Sequence, residues 1–265
     1  RKLNREAYGI DDNNLPFFGY DVWNAYEVSV LTHKGLPVSG MMKIVCPASS
    51  ITHVESKSIK LYLNSYNMTR MGDTAEQAIS IFEARVAKDL TLLLGRSVAT
   101  KMFTDEASES FHFQGFTKLQ YLTDLDMIEF DNYYSDADSL KTSKVHETGQ
   151  EFKIQSDLLR SNCRVTNQPD WGDVFIHMVG KNEPNYTSLA EYIVSHRKVS
   201  HFHEEINEMV FTHLMQAYEP DELMVSCLYT RRGGLDINPI RATSQEMIPT
   251  AFFSESVRLK KTLRQ

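Results

Sequence analysis

A cysteine and an aspartate separated by a turn are the first residues of this chain that could act together in catalysis. Asp170 follows Cys163 by seven residues, and the stretch between them contains the turn-forming Pro169. A thiolate is a strong nucleophile, and a neighbouring carboxylic acid can give a proton to the group that the sulfur attacks. The spacing therefore indicates a covalent catalyst, although a free cysteine is also among the residues most often buried and inert.

The run HFHEE at residues 201–205 is a second group with possible chemistry, because it stands at the predicted start of a helix. Glu204 and Glu205 have an ordinary explanation there, since the positive end of a helix dipole favours carboxylates. A carboxylate in a pocket can also accept hydrogen bonds from the N–H groups of a nitrogen heterocycle. A zinc site is less favoured, because the chain has no HExxH pattern and its cysteines lack the spacing of metal ligands.

Two basic segments could bind an anion. Lys57 and Lys60 belong to VESKSIKLY at residues 54–62, and they share a face if this stretch is helical. Arg231 and Arg232 precede two glycines, whose missing side chains let backbone N–H groups approach a phosphate. Each segment also fits an ordinary exposed surface. The chain contains neither GxGxxG nor a P-loop, so the residues alone predict no Rossmann dinucleotide site.

Periodic apolar residues indicate two helices that would position these groups. Thr74 and Gln77 predict a capped helix start, and Gly95 stands where that helix would end. The apolar stripe of the first helix is Ile79, Phe82, Val86, Leu90 and Leu93. The stripe of the second is Ile206, Val210, Leu214 and Ala217, ahead of Pro220. Strand candidates flank both helices, at residues 25–31, 41–45, 97–103, 173–179 and 223–230.

The repeated order of strands, helix and strand predicts an α+β protein built from two related modules with antiparallel sheets. We place the modules at residues 1–122 and 151–265, with an acidic and polar connecting segment at residues 123–150. Sheets of this kind can associate edge to edge into a barrel, which would leave ligand sites at the interfaces between modules.

Composition narrows the class of partner. With 28 basic and 35 acidic residues the formal charge is −7, which argues against direct binding to a nucleic acid backbone. No apolar run approaches the roughly 18 residues of a membrane span. Three widely spaced cysteines, Cys46, Cys163 and Cys227, favour free thiols in a reducing cytoplasm. Because the sequence begins at Arg1 and not at Met, an upstream start or a removed targeting segment stays open.

Taken together, these segments resemble the QueF family, the nitrile reductases of queuosine biosynthesis. ESKSIKLY at residues 55–62 is similar to the family signature, and similar segments continue at residues 161–172, 202–204 and 229–239. The resemblance begins near NLPF at residues 14–17 and covers most of the chain. The signature lies in the N-terminal half of the chain and the cysteine in the C-terminal half. This is the motif order of the longer, two-module branch of the family. The resemblance implies the tunnelling fold (T-fold), with two tandem ββααββ-type modules.

It also implies an activity, the reduction of 7-cyano-7-deazaguanine to 7-aminomethyl-7-deazaguanine with two NADPH per turnover and no metal. Cys163 would form a thioimide with the nitrile, Asp170 would donate the proton, and His203 would assist proton transfer or orient the substrate. The implied substrate contacts are Val54, Glu55, Ser56, Phe202, His203 and Glu204. The implied cofactor contacts are Ser56, Lys57, Arg232 and Gly233, with Lys60 and Arg231 as weaker candidates.

Asp170 is expected to begin as the neutral acid, because burial beside a thiolate disfavours a second negative charge. Two other functions stay open. One is a zinc-dependent pterin-type cyclohydrolase of the same fold, with His201, His203 and a cysteine as ligands. The other is a purine-like ligand-binding protein without catalysis. A homodimer or higher homo-oligomer is expected, because tunnelling folds generally need partner subunits to close their barrels.

Overall fold

A long, mainly antiparallel β-sheet runs through the computed structural model, which describes residues 1–105 and 110–265. The strands of the chain are β1 (Phe18–Leu31), β2 (Pro37–Pro47), β3 (Ala99–Phe103), β4 (Ser110–Phe111), β5 (Thr117–Lys118), β6 (Thr142–Ser156), β7 (Arg160–Cys163), β8 (Pro169–Pro184), β9 (Ser200–His201), β10 (Glu222–Tyr229), β11 (Leu235–Ala242) and β12 (Arg258–Leu259). All of them belong to the long sheet except β4 and β12, which pair with each other in a separate two-stranded sheet. The helices are α1 (Lys2–Ala7), α2 (Ser56–Asn64), α3 (Ala75–Leu94), α4 (Tyr186–Ser195), α5 (His203–Tyr218) and α6 (Thr250–Phe253). The predicted α+β class with a large antiparallel sheet is confirmed.

The two halves of the chain share this sheet. Its strand order is β3-β2-β1-β11-β10-β8-β6-β5, while β7 pairs with β8 and β9 pairs with β7. The halves join where β1 pairs with β11, in antiparallel register from Phe18 opposite Ala242 to Ala25 opposite Leu235. Backbone hydrogen bonds therefore run without a break from the N-terminal strands into the C-terminal strands, and the seam between halves is a fixed part of the sheet.

Side chains alternate between the two faces of the sheet, as the pleat requires. Trp23 and Ala25 of β1 join a core cluster with Phe82 and Val86 of α3. Val22, which directly precedes Trp23 in sequence, joins the cluster on the opposite face with Phe252 of α6. The long helices thus cover one face, while the C-terminal segment covers the other.

Helix α3 begins and ends as its sequence predicts. The Thr74 hydroxyl accepts a hydrogen bond from the N–H of Gln77 at 3.3 Å, and Gly95 ends the helix with a φ of 64°. The Gln77 side chain accepts from the N–H of Asp73, one residue earlier than a capping box requires. The buried residues of α3 keep a spacing of four to the end of the helix, so Leu94 is buried. Leu93, which the sequence predicts in the apolar stripe, is 58% exposed.

Helix α5 packs its predicted stripe into the largest core cluster. Ile206, Val210 and Leu214 are buried there, and Ala217 is partly buried at its edge. The helix ends at Tyr218, where Glu219 adopts a left-handed conformation ahead of Pro220. Within the described ranges, no helix has both the length and the apolar character needed to cross a bilayer.

Candidate active site

The strands β7 and β8 form a hairpin that brings Cys163 and Asp170 into one cavity of about 240 Å³. Ser161 pairs directly with Asp170 across the hairpin. Side chains two residues apart on a strand share a face, so Cys163 lies on the same face as Ser161 and Asp170. The turn that the sequence predicts after the cysteine therefore does fold the acid back towards the sulfur.

The tight turn after Cys163 makes its thiol acidic. The side chain is buried, at 8% exposure, which by itself raises the pKa of the thiol. The Thr166 hydroxyl, the N–H groups of Thr166 and Val165, and the Arg232 guanidinium act as hydrogen-bond donors towards the sulfur and lower the pKa to about 7. Cys46 and Cys227 differ, since burial raises the pKa of each well above the ordinary value. All three cysteines are free.

Asp170 lies between two basic side chains. Nε2 of His203 is 3.2 Å from Asp170 Oδ2, and Nη1 of Arg232 is 2.9 Å from Asp170 Oδ1. The Arg232 contact is an ion pair without the alignment of a hydrogen bond, because that Nη1 is buried and lacks a hydrogen-bond partner among the described residues. Arg232, which the resemblance implies as a cofactor contact, therefore lies between the sulfur and the acid.

Strand β9 places the start of α5 beside the cysteine. β9 pairs with β7 in parallel register, with His201 opposite Cys163, so the next residues, Phe202, His203 and Glu204, enter the cavity. Glu205 instead turns back and accepts a hydrogen bond from the N–H of Phe202 at 2.9 Å. The helix-capping explanation therefore holds for Glu205, whereas Glu204 faces the cavity.

Glu204 is a buried carboxylate held in its charged form. Its side chain is 4% exposed, and Nδ1 of His53 lies 3.8 Å from Oε1. Burial and the nearby Asp21 carboxylate raise the pKa of Glu204, but His53 and Arg1 outweigh them and hold it below its usual value. A charged carboxylate at this position can accept hydrogen bonds from a ligand's N–H groups.

The N-terminus of α2 forms the opposite wall. Glu55 is its N-cap, with Oε1 accepting from the N–H of Lys57 at 3.0 Å and Oε2 from the N–H of Ser58 at 2.7 Å. Partial burial opposes the effect, but these hydrogen bonds lower the pKa of Glu55. Val54 and Ser56 also line the cavity. Glu55 therefore has a structural role of its own besides the predicted contact with substrate.

Ten of the predicted residues line this one cavity. They are Val54, Glu55, Ser56, Lys57, Cys163, Asp170, Phe202, His203, Glu204 and Arg232. Gly233 lies outside it, in an adjoining crevice with Lys60, whose Nζ is 3.4 Å from Glu27 Oε2. The Arg231 guanidinium lies 4.3 Å from the centre of the Tyr26 ring.

Buried ion pairs support the wall behind Glu204. Glu208, one turn further along α5, contacts Arg5 and Arg241 at 2.8 Å each, and Arg241 also contacts Asp21 at 2.8 Å. Arg1 pairs with Asp21 as well. Asp21 approaches His53 and Glu204 closely enough to hold a metal, but the two guanidinium groups already neutralise its charge. His201, His203 and Cys163 form no such group among the residues that the structure describes.

The comparisons with known proteins agree with this geometry. Residues 1–102 match the family model described as nitrile reductase, 7-cyano-7-deazaguanine-reductase N-term, and residues 169–247 match that of the QueF-like protein. A relative from Colwellia psychrerythraea, named NADPH-dependent 7-cyano-7-deazaguanine reductase, is 38% identical over 253 residues, which cover 95% of this chain and 86% of that protein. A relative of the same name from Legionella pneumophila is 42% identical over 265 residues, covering 98% of this chain and 86% of that protein. This chain belongs to the QueF family.

Five further residues line the cavity of this QueF-family chain without having been predicted as substrate or cofactor contacts. They are Trp23, His53, Val165, His201 and Ile237. Trp23 and Ile237 face each other across the β1–β11 seam. His53 directly precedes the segment at residues 54–62. The position of His53 beside this segment is a signal in the sequence that could have identified it. The Trp23–Ile237 pair has no such signal, because it depends on contacts between distant parts of the chain.

Proposed function

We propose that this chain catalyses the NADPH-dependent reduction of 7-cyano-7-deazaguanine to 7-aminomethyl-7-deazaguanine. The reductase activity is the one in the names of its relatives. The observation that carries the proposal is the joint placement of Cys163, with its acidic thiol, and Asp170 in a cavity that Glu55 and Glu204 also line. A nucleophile, an acid and two heterocycle-binding carboxylates are the groups that this chemistry needs.

Cys163 would add to the nitrile carbon. The sulfur forms a C–S bond while one bond of the C≡N group breaks, and the nitrogen takes a proton from Asp170, which gives a neutral thioimide. After the first two-electron reduction the C–S bond breaks and returns the Cys163 thiolate. Arg232 Nη1 lies 2.9 Å from Asp170 Oδ1, and it would leave this carboxyl group to hold the phosphates of the cofactor.

The residues present fit a phosphorylated dinucleotide at the cavity mouth. Lys57 is exposed and lines the cavity with Ser56 and Arg232, whose buried Nη1 lacks a hydrogen-bond partner among the described residues. Lys57 and Arg232 would hold the phosphates, together with Gly233 in the adjoining crevice. NADPH, when bound, would supply hydride, two equivalents per turnover because nitrile to amine is a four-electron change.

The purine-like ring would lie between the two halves of the chain. Glu55 and Val54 come from the N-terminal half, and Glu204 and Phe202 come from the C-terminal half. The carboxylates would accept from the ring N–H groups while Phe202 packs against the ring, and His203 would assist proton transfer or orient the substrate.

We also propose the T-fold with two tandem modules, at residues 1–122 and 151–265, and a homodimer or higher homo-oligomer located in the cytoplasm. The order β1-β2-α2-α3-β3 and its counterpart β6-β8-α4-α5-β10-β11 support the repeat. Strand β6 begins at Thr142, inside the connecting segment at residues 123–150. Sedimentation of the purified chain tests the oligomer, since a monomer at catalytic concentrations would contradict it.

The experiment that tests the function mixes protein, nitrile and NADPH and follows the absorbance of the reduced nicotinamide. We expect its loss with wild type, and mass spectrometry should detect a covalent adduct of the nitrile on Cys163. Cys163→Ala should abolish both signals, with Cys46→Ala as the matched control that keeps them. Folded wild type that binds the nitrile without oxidising NADPH would instead support the purine-like binding protein, and stoichiometric zinc would support the cyclohydrolase.

A further inference from the structure

The ring of His203 lies flat on the ring of Tyr229. The ring centroids are 3.8 Å apart and the planes differ by 5°. Tyr229 is the last residue of β10 and is fully buried in the main core cluster. It does not line the cavity, so neither the nucleophile nor the substrate contacts account for this stack.

Hydrogen bonds do not explain the orientation of His203. Its Nδ1 is buried and has no hydrogen-bond partner among the described residues. Its Nε2 lies 3.2 Å from Asp170 Oδ2, at ion-pair distance but outside hydrogen-bond alignment. An imidazole with so few polar contacts could turn about its side-chain bonds. The stack on Tyr229 is the contact that keeps Nε2 next to Asp170.

Strand β8 lies against the ring of Tyr229. Gly172 pairs with Tyr229 across the sheet and lies two residues after Asp170, on the same face of β8. A Cβ atom at Gly172 would lie 3.2 Å from both Cδ1 and Cε1 of the Tyr229 ring and 3.3 Å from Leu159 Cδ2. These distances are tighter than ordinary contacts, so the absence of a side chain at Gly172 lets the ring lie where it supports His203.

We propose that Tyr229 is a positioning residue for the proton-transfer pair, and that it acts through its ring and not through its hydroxyl. A chain of contacts sets the distance between the imidazole and the acid. It runs from Gly172 to the Tyr229 ring, from that ring to His203, and from His203 to Asp170. The inference rests on the proposed nitrile reduction, because it assigns Asp170 and His203 to that reaction. The Tyr229 hydroxyl is buried near the Ser161 hydroxyl but makes no aligned hydrogen bond among the described residues, and the ring is the part of Tyr229 that contacts His203.

Steady-state kinetics of two variants test the proposal. Tyr229→Phe keeps the ring and should retain kcat and KM within about twofold. Tyr229→Leu removes the stack and should lower kcat about 10- to 100-fold with KM for the nitrile changed far less, since small misplacements of catalytic groups have effects of this size. Tyr218→Leu is the matched control, because Tyr218 is buried in the same cluster and its hydroxyl also lacks a partner among the described residues. It should keep wild-type kcat.

Equal loss of kcat in Tyr229→Leu and Tyr218→Leu would mean that the core alone is disturbed and would overturn the proposal. So would a Tyr229→Phe variant as slow as Tyr229→Leu. Nitrogen NMR of the labelled imidazole gives a readout without turnover. Wild type and Tyr229→Phe should each show one set of His203 ring signals, from a ring held in one orientation. Tyr229→Leu should show signals averaged over several ring orientations. This result supports the inference even if wild type reduces no nitrile. Unchanged spectra in all three proteins overturn it.

Discussion

Replacing Thr166 by valine should make the Cys163 thiol less reactive at neutral pH. The Thr166 hydroxyl heads the donors that lower the pKa of this thiol to about 7 against the opposing effect of burial. Valine preserves the shape of the side chain and leaves the backbone N–H groups of Val165 and Thr166 in place. The substitution therefore removes one hydrogen bond to the thiolate and little else.

The size of the effect follows from ionisation. A hydrogen bond to a charged group contributes on the order of 1.5 kcal/mol, so its loss should raise the pKa of Cys163 from about 7 to about 8. At pH 7 the thiolate fraction would fall from about one half to about one tenth, a decrease of about fivefold. The difference should grow to about ninefold at pH 6 and vanish above about pH 9.

The assay is the rate of alkylation by iodoacetamide between pH 6 and pH 9, with the modified residue identified by mass spectrometry. Cys46 and Cys227 are buried, with the pKa of each thiol raised, and should not react in the folded protein. Thr166→Ser keeps the hydroxyl and is the matched control, which should titrate like wild type. If Thr166→Val follows the wild-type curve at every pH, the turn hydroxyl does not stabilise the thiolate and the account of the acidic thiol is wrong.

Three other predictions follow from the same structure. Asp170→Asn should lower kcat about 10²- to 10⁴-fold with nitrile binding, measured by calorimetry, within a few-fold of wild type; a fully active variant would contradict the acid role. Glu204→Gln should raise the Kd for the nitrile about tenfold, because a ligand N–H loses its charged acceptor, and an unchanged Kd would contradict that contact. Burial lowers the pKa of His196 to about 4, so the unfolded chain binds a proton that the folded chain does not, and stability should fall by up to about 3 kcal/mol as pH falls from about 6.5 to about 4. Urea unfolding of wild type and His196→Asn checks this, since equal pH slopes would exclude His196 as the cause.

The proposed catalytic pair could be predicted from sequence because its geometry is local. A turn and a hairpin are enough to bring Asp170 back to Cys163, and both are encoded within residues 161–172. Helix starts are local in the same sense, so the segment that follows His201 could be placed at the N-terminus of α5. The role of each residue at the start of α5 depends on contacts with distant parts of the chain. Glu204 and Glu205 are neighbours with the same chemistry, and only the packing of α5 decides that one caps the helix and the other enters the cavity.

The rest of the site depends on the pairing of β1 with β11, which no local pattern encodes. Trp23 and Ile237 come within contact because their strands meet across the sheet. From the sequence, Tyr229 is predicted only as an ordinary core residue, because its stack on His203 depends on the register of β10 against β8. The position of Arg232 between sulfur and acid likewise follows from a loop between β10 and β11.

His53 and the buried ion pairs together explain how the Glu204 carboxylate can stay charged in the wall of such a cavity. Glu204 would be costly to bury as an anion without compensation, and Asp21 nearby adds a second negative charge. Arg241 contacts both Asp21 and Glu208, and Arg1 contacts Asp21, so positive charge lies directly behind the wall. These guanidinium groups come from the two ends of the chain and meet at the β1–β11 seam. The seam therefore does more than join two halves of a sheet, because it brings His53 and Arg1 of the N-terminal half next to Glu204 of the C-terminal half, where they lower the pKa of Glu204.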